Sequence, residues 1–360
     1  MKILFLTKYP PLGSSSRYRV YQFLPYYEAA GLDCSVANFH TDTYVRQFIG
    51  MRDWRPKARR LPYLAGRYLR RLLCLLQAGR YDLVVVEQEV FPFLPLSLDS
   101  LLFHVAKAVV VEYDDATHIY HQRLLDSAFL HSLLHSKVPT LMARSGGVIV
   151  GNQYLAAYAQ QYNPYVLLAP TAIDTDRYRV KQAESFSPSG SACIGWIGTP
   201  LTVSYLSEIA DALRILAERY DIALKVIGAP SFRIEGVPMV AIPWRLDTEV
   251  EELLSCDIGV MPLTNEAYSW GKCGAKLLQY MGVGIPAVAS PVGANREIIQ
   301  QGENGFLAQT PDEWVGRLEQ LITDVSLRRK LGSAARESVE RDYALSTIAA
   351  RLIEFFRGFR

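Results

Sequence analysis

The stretch that decides the fold runs from Pro262 to Leu307. It contains Gly271-Lys272-Cys273-Gly274-Ala275-Lys276, then Leu277-Leu278-Gln279-Tyr280-Met281-Gly282-Val283-Gly284-Ile285-Pro286-Ala287-Val288-Ala289-Ser290. It continues as Pro291-Val292-Gly293-Ala294-Asn295 with Glu297, and closes on Gly302-Glu303-Asn304-Gly305-Phe306-Leu307. The pattern predicts a glycine-punctuated loop, a helix over 274–283, a strand over 286–289, and a second glycine turn entering another helix. Backbone N–H groups at such a helix start favour phosphate. Lys272 and Lys276 add positive charge beside them.

Working outward, the same alternation fills the chain. Toward the N-terminal side of this stretch come a strand at Cys193–Ile197, a helix over 203–219, strands over 223–227 and 238–242, a helix over 248–255 and a strand over 257–261. Residues 181–192 are rich in Ser, Pro and Gly and read as a boundary between domains. Before that boundary, Ile3–Leu6 reads as a strand stopped by Tyr9-Pro10-Pro11-Leu12-Gly13. Ser14, Ser15 and Ser16 then keep a loop polar, an amphipathic helix runs from Arg17 to Ala30, and Cys34–Phe39 is the next strand. Apolar runs at Asp82–Glu87, Ala108–Glu112, Gly147–Gly151 and Val166–Leu168 add further strands. Strands alternating with helices argue for parallel sheets covered on both faces. From Pro311 onward the chain reads as almost wholly helical, with Gly332 as a weak point.

The expected architecture is therefore α/β, with two Rossmann-like doubly wound domains facing a cleft. Residues 1–172 form the first domain and 173–342 the second. The final helix, 343–360, is expected to pack back on the first domain, because Ile348, Leu352, Phe355 and Phe356 need a surface to cover.

Composition narrows the function classes. The chain has 360 residues, more than one core usually serves, and a net charge of only +2, which does not suggest a global polyanion binder. Five scattered cysteines, with no CxxC pair, point away from a disulfide framework or a zinc ribbon and toward a reducing compartment. The short apolar run at Met1–Thr7 reads as a strand rather than a signal peptide, and no stretch reaches the length of a membrane span. There is neither a GxGxxG fingerprint nor a Walker loop. The expected location is cytoplasmic.

Open parallel sheets bind ligands beyond the carboxyl ends of their strands. The residues to watch therefore follow strands. Asp114 and Asp115, after the strand ending at Glu112, read either as site carboxylates or as a helix cap. His118 and His121 follow them. His118 reads either as a sugar contact or as an incidental loop histidine. Glu87 and Glu89 read as ordinary exposed loop acids. His131 and His135 have HxxxH spacing without the glutamate of a zinc-protease helix, so no metal site is assigned.

Residues 52–80 carry nine basic residues and a single acid, interleaved with Trp54, Tyr63 and leucines. They read in two ways. One is a solvated helix with its leucine face on the sheet and its arginines snorkelling. The other docks on anionic lipid headgroups, with Trp54 and Tyr63 at the interface. Nucleic acid fits less well, because no recognition module surrounds the stretch.

The motifs at 277–289, Ser290-Pro291-Val292-Gly293 with Glu297, and Gly302-x-Asn304-Gly305-Phe306-Leu307 resemble the donor region of retaining glycosyltransferases of the two-domain GT-B type, family 4. Pro170-Thr171-Ala172-Ile173-Asp174, the C-terminal Asp324, Arg328, Gly332 and Ala335-Arg336, and the opening Ser16-Arg17-Tyr18-Arg19 with Asp114-Asp115-Ala116 extend the resemblance along the chain. It implies transfer of a sugar from a nucleotide-sugar donor to an acceptor hydroxyl in polysaccharide or glycolipid synthesis. The leaving diphosphate itself helps take the acceptor proton, so neither a protein nucleophile nor a metal or other cofactor is implied.

Residue by residue, the resemblance implies catalytic roles for Asp114, Asp115, His118 and Lys276. It implies donor binding by Gly13, Ser14, Arg17, Gly198, Thr199, Lys272, Gly274, Lys276, Leu277, Gln279 and Glu297. The expected partners are a nucleotide-sugar donor, a glycan or lipid-linked acceptor, and the inner face of a membrane through 52–80.

Two departures stand out. The family's pair of glutamates, eight positions apart, would fall at Gly271 and Gln279. The loop after Gly198 offers Thr199 and Thr202 in place of basic residues. Lys276 and Lys272, with Arg17 and Arg19 reaching across the cleft, are left as the diphosphate partners. The alternatives are a GT-B-fold nucleotide-sugar epimerase and a nucleotide-sugar-binding protein without transfer.

Overall fold

The computed structural model describes residues 1–48, 61–92, 94–123 and 134–359. Trp54 and His131 lie outside the described residues. The chain divides into two compact units. One is Met1–Thr171 with Trp270–Cys273 and Ser346–Arg360; the other is Ala172–Ser269 with Gly274–Leu345.

The first unit is built on six parallel strands: β1 Lys2–Thr7, β2 Asp33–Asn38, β3 Leu83–Glu87, β4 Val109–Tyr113, β5 Gly147–Val150 and β6 Val166–Leu168. They lie in the order β2-β1-β3-β4-β5-β6. Val84–Val86 and Val109–Val111 are buried. Such continuous apolar runs are what a parallel sheet covered on both faces demands. The chain leaves β1 for β2 on one side and then crosses to β3 on the other, so the switch point lies between β1 and β3.

The helix Leu345–Arg357 covers this sheet. The Phe356 ring meets Tyr27 at 5.5 Å and Phe5 at 6.0 Å, both edge-on. Arg351 donates to the Leu168 carbonyl at 2.6 Å. A Cβ on Gly147 would lie 2.7 Å from the Phe355 ring. Burying a phenylalanine of this kind stabilises by about 1.5–3 kcal/mol.

The second unit repeats the plan with β7 Ser191–Ile197, β8 Asp221–Ile227, β9 Met239–Ile242, β10 Ile258–Met261, β11 Ala287–Ala289 and β12 Phe306–Leu307. The order is β12-β11-β10-β7-β8-β9, all parallel, which is the doubly wound Rossmann order. Here the switch point lies between β7 and β10. Trp196, Ile194, Leu224, Val260 and Val288 form its core with Leu318 and Leu321 of the helix Pro311–Thr323. That helix opens with a capping box between Thr310 and Glu313.

Several expectations are corrected. The helix expected from Arg17 to Ala30 is broken into Ser14–Arg19, a 3-10 turn Tyr21–Phe23 and Leu24–Ala29. Val20, at φ −131°, cannot continue a helix, and Pro25 starts the next one. The serine loop is instead the first turn of a helix. Gly332 is not a weak point: a Cβ there would lie 2.1 Å from the Gly284 carbonyl oxygen, so its absence lets helix and loop backbones touch.

Glu87 and Glu89 are buried rather than exposed. Glu89 lies 3.0 Å from the Lys137 ammonium and 3.2 Å from His121, and Lys137 is also 3.2 Å from Asp99. Arg19 does not reach out to a phosphate, because its Nε donates to Glu112 at 2.5 Å in the interior. The helix Leu61–Leu75 turns Leu61, Leu69, Leu72 and Leu73 outward and buries Arg67 and Arg71 beside Leu75, so most of its leucines are not on the sheet.

Candidate functional site

In the first unit, chemistry gathers where β1, β3 and β4 end. The Glu87 carboxylate accepts from the Ser15 hydroxyl at 2.8 Å, from the Ser16 hydroxyl at 2.5 Å and from the Lys8 amide at 3.0 Å. Burial, then the neighbouring Asp114 charge, pushes its pKa up. Ser15 also contacts Asp114, at 2.6 Å, and the Gln88 amide donates to the other Asp114 oxygen at 2.9 Å. Gln88 in turn accepts from the Lys8 ammonium at 3.1 Å. Gln88 is the one non-glycine with positive φ among the described residues, at +62°, a conformation that costs energy for a residue with a Cβ. Residue type carries no signal for Gln88 and makes Glu87 look like an exposed loop acid, since neither burial nor a left-handed backbone is written in it.

Asp115 and the Ala116 amide form the turn after β4, and Asp115 holds the Lys272 ammonium at 2.8 Å. Asn152 caps the helix Gln153–Ala159 through the Leu155 amide and donates to the Trp270 and Lys272 carbonyls at 3.0 and 3.1 Å. Segment 270–273 is thus tied to this unit, and Lys272 is an ion-pair partner of Asp115. Gly271 presses on Ala116. A Cβ there would lie 2.6 Å from the Ala116 Cβ and 2.7 Å from its backbone nitrogen. No glutamate fits at 271 without moving that backbone.

His118 stacks on Tyr158 with ring centroids 3.8 Å apart. Burial, then the proximity of His121, lowers its pKa to about 4, which keeps it neutral near pH 7. A neutral imidazole is both donor and acceptor, a pairing suited to a sugar hydroxyl. Gly13 caps the helix Ser14–Arg19, Ser14 is exposed at its start, and Arg17 is buried within it.

In the second unit, the ends of β7 and β10 carry the other group of residues. Gly198 follows β7, and Lys276 runs alongside it: a Cβ on Gly198 would lie 2.9 Å from the Lys276 Cε. The Lys276 ammonium sits 5.4 Å from the centre of the Trp196 ring. Thr199 and Thr202 close a turn between them. Gly274, at φ +70°, caps the helix Ala275–Gly282 with no side chain, leaving its first N–H groups uncovered by a cap residue. Leu277 is buried, and Glu297 is exposed on the short helix Asn295–Ile298.

Tyr280 holds the switch point. Its hydroxyl accepts from the Ile197 amide at 3.1 Å and donates to the Val260 carbonyl at 3.2 Å, bridging strands where their own pairing has stopped. The ring occupies the space a side chain on Gly259 would need. A glycine inside a strand was the available sequence signal.

Gln279 is buried and donates to the Tyr178 hydroxyl at 3.1 Å. Tyr178 donates to Glu249 at 2.6 Å, and the other Glu249 oxygen accepts from the Trp244 indole at 2.6 Å. Because the Tyr178 proton goes to Glu249, its oxygen demands a donor from residue 279. Glutamine supplies one and glutamate cannot. Among the described residues, no three His, Cys, Asp or Glu side chains gather as a metal site.

Comparison with known proteins agrees with this frame. Residues 192–324 match the family described as glycosyl transferases group 1. The D-inositol 3-phosphate glycosyltransferase of Corynebacterium urealyticum is 26% identical over 192 residues, 48% of this chain and 44% of that protein. The sulfoquinovosyl transferase of Arabidopsis thaliana is 35% identical over 171 residues, 44% of this chain and 31% of that one. The chain spans less than half the length of the first curated relatives it matches.

Solved structures extend the likeness along the chain. Anabaena HepE in complex with UDP-glucose superposes with a TM-score of 0.73 at 16% identity, covering 99% of this chain and 100% of that one. Sucrose-phosphate synthase from Thermosynechococcus elongatus gives 0.71 at 13% identity, covering 99% and 98%. Residues 192–324 thus match the glycosyl transferases of group 1, and they sit in a chain whose two doubly wound sheets are those of the GT-B fold.

Proposed function

We propose that the protein is a glycosyltransferase that moves a sugar from a nucleotide-sugar donor to an acceptor hydroxyl with retention, in cell-surface polysaccharide or glycolipid synthesis at the inner face of a membrane. The observation that carries this reading is the placing of Lys276 beside Gly198, at the β7–β10 switch point of the segment that matches group 1 glycosyl transferases. There the amides of a glycine-capped helix and a lysine offer a diphosphate its two usual partners.

In this reading the second unit binds the donor through Gly198, Thr199, Gly274, Lys276, Leu277, Gln279 and Glu297. The first unit takes the acceptor side, and donor contacts are also assigned to its Gly13, Ser14 and Arg17. Asp114, held by Ser15 and Gln88, orients the reacting sugar, and neutral His118 hydrogen-bonds a hydroxyl. Asp115 contributes by fixing Lys272. The leaving diphosphate accepts the acceptor proton, so the protein's work is positioning and stabilisation of negative charge, without a metal or other cofactor.

Melting temperatures with UDP, GDP, ADP, CDP and their sugars test the reading, since a ligand bound to the native state raises them. One nucleotide family should stabilise the wild type and leave Lys276→Ala unmoved. UDP is the first to try, given the bound ligand of the similar Anabaena protein. No stabilisation by any nucleotide would remove the donor assignment. A second reading, a nucleotide-sugar binder without transfer, is favoured by the closed space at Gly271. Stabilisation by a nucleotide sugar with no nucleotide release across a broad acceptor panel would select it.

A further inference from the structure

The helix Leu61–Leu75 packs with its polarity reversed. Its inner face carries Arg67 and Arg71 together with Leu75. The Arg67 guanidinium donates to the Phe39 and Asn38 carbonyls, the latter at 2.6 Å, and Arg71 donates to the Thr7 carbonyl at 2.7 Å. These acceptors lie at and just past the carboxyl ends of β1 and β2, and the Thr7 carbonyl also accepts from the Phe39 amide at 2.8 Å. Meeting them with arginine leaves most of the leucines facing water.

Leu61, Leu69, Leu73 and Leu76 are exposed by 67, 58, 53 and 69%, with Leu72 beside them. Their spacing places them on one side of the helix. Just past the helix, a Cβ on Gly79 would lie 3.0 Å from the Val105 carbonyl oxygen, so the exposed Leu101 and Val105 adjoin the same surface. More than half of the large apolar side chains exposed among the described residues fall between 61 and 105.

The charge on this face has one sign. From 61 to 81 the chain has four arginines and no Asp or Glu. Arg67 and Arg71 are consumed inside, while Arg70 and Arg80 stand exposed among the leucines. Across a two-fold contact through this face, a second copy would bring arginines and no acid from 61–81 to meet these arginines. An anionic lipid layer matches both features, apolar below and phosphate above. The helix has 15 residues, short of the roughly 20 needed to span a bilayer, so it lies in the interface plane.

We propose that this face docks the protein on an anionic lipid bilayer, with Leu69, Leu72, Leu73 and Leu76 entering the acyl boundary and Arg70 and Arg80 pairing with lipid phosphates. This gives a surface to the membrane location proposed above, and its test uses no catalysis.

The test is flotation of the full chain with vesicles of phosphatidylcholine alone and of phosphatidylcholine mixed equally with phosphatidylglycerol. The wild type should float with the mixed vesicles and not with the neutral ones. Leu69→Glu/Leu73→Glu should lower the partition by about tenfold or more, at an unchanged melting temperature. Should that pair disturb folding, Arg70→Glu carries the test alone, lowering the partition roughly tenfold and weakening its salt dependence.

Wild type that stays behind, or variants that partition like it, would overturn the proposal. So would a wild-type dimer, seen by light scattering, that the leucine variant splits and that ignores vesicles. Nucleotide-induced melting shifts run in parallel separate the two readings: their survival with no flotation removes the docking face alone, and the converse removes the donor site alone.

Discussion

The Ala116 backbone nitrogen lies 2.7 Å from where a Cβ of residue 271 would stand, so Gly271 is the only residue that the turn after β4 admits unmoved. The glutamate that the resemblance implies at this position would have to displace Ala116. Gly271→Ala should destabilise by about 1–3 kcal/mol, the usual cost of forcing atoms into a packed site, as read by urea denaturation. Gly271→Glu should cost at least as much and confer no added turnover.

Gln279 answers to a different constraint, the direction of the Tyr178 proton. Gln279→Glu places a carboxylate against a hydroxyl oxygen that already donates to Glu249. The expected loss is about 1–3 kcal/mol at neutral pH. Adding Glu249→Gln frees the Tyr178 proton for residue 279, so the double variant should lose less than the sum of the singles. Denaturation of all four proteins measures the coupling, and strict additivity would show that the network does not select glutamine.

Tyr280→Phe removes the hydroxyl shared by the Ile197 amide and the Val260 carbonyl. Two buried backbone groups at the ends of β7 and β10 then lack a partner. We expect about 1–3 kcal/mol of destabilisation and weaker nucleotide binding, because Gly198 follows Ile197 directly. Isothermal titration with the stabilising nucleotide checks the second effect.

Asp114→Asn keeps the shape of the side chain and removes its charge. The Gln88 amide still finds an oxygen, but the Ser15 hydroxyl meets an amide or a neutral oxygen. Turnover should fall by roughly a hundredfold or more, while the nucleotide-induced rise in melting temperature persists. Loss of both would place Asp114 in donor binding or folding instead.

The lowered pKa of His118 makes stability pH-dependent in a stated direction. In the folded protein it loses its proton near pH 4, against 6.5 in the unfolded chain. Between those values the unfolded state binds more protons, so stability rises with pH there. The contribution is complete above about pH 6.5 and is lost as the pH falls toward 4. His118→Phe, which can keep the stack on Tyr158, should flatten that part of the stability–pH curve. An unchanged slope would reassign the acid sensitivity to other groups.

The sequence by itself determined the two sheets and the motif-bearing segment 262–307. Continuous valine runs such as Val84–Val86 can be satisfied only by strands covered on both faces, and glycine and proline mark where each strand must stop. It also exposed the departures at 271 and 279, though not their causes.

The tertiary structure decided everything that depends on who sits next to whom. Glu87 and Glu89 look like loop acids until Ser15, Ser16, Lys137 and His121 close on them. Lys272 reads as a phosphate ligand by residue type alone, and only the fold sets Asp115 2.8 Å from its ammonium. The helix Leu61–Leu75 shows why. Helical spacing sets most of the leucines apart from Arg67 and Arg71, but which side turns inward is set by the carbonyls of Thr7, Asn38 and Phe39, which accept from those arginines. Buried acceptors without donors cost more than leucines left in contact with water or lipid, and residues some 30 to 60 positions away carry that information.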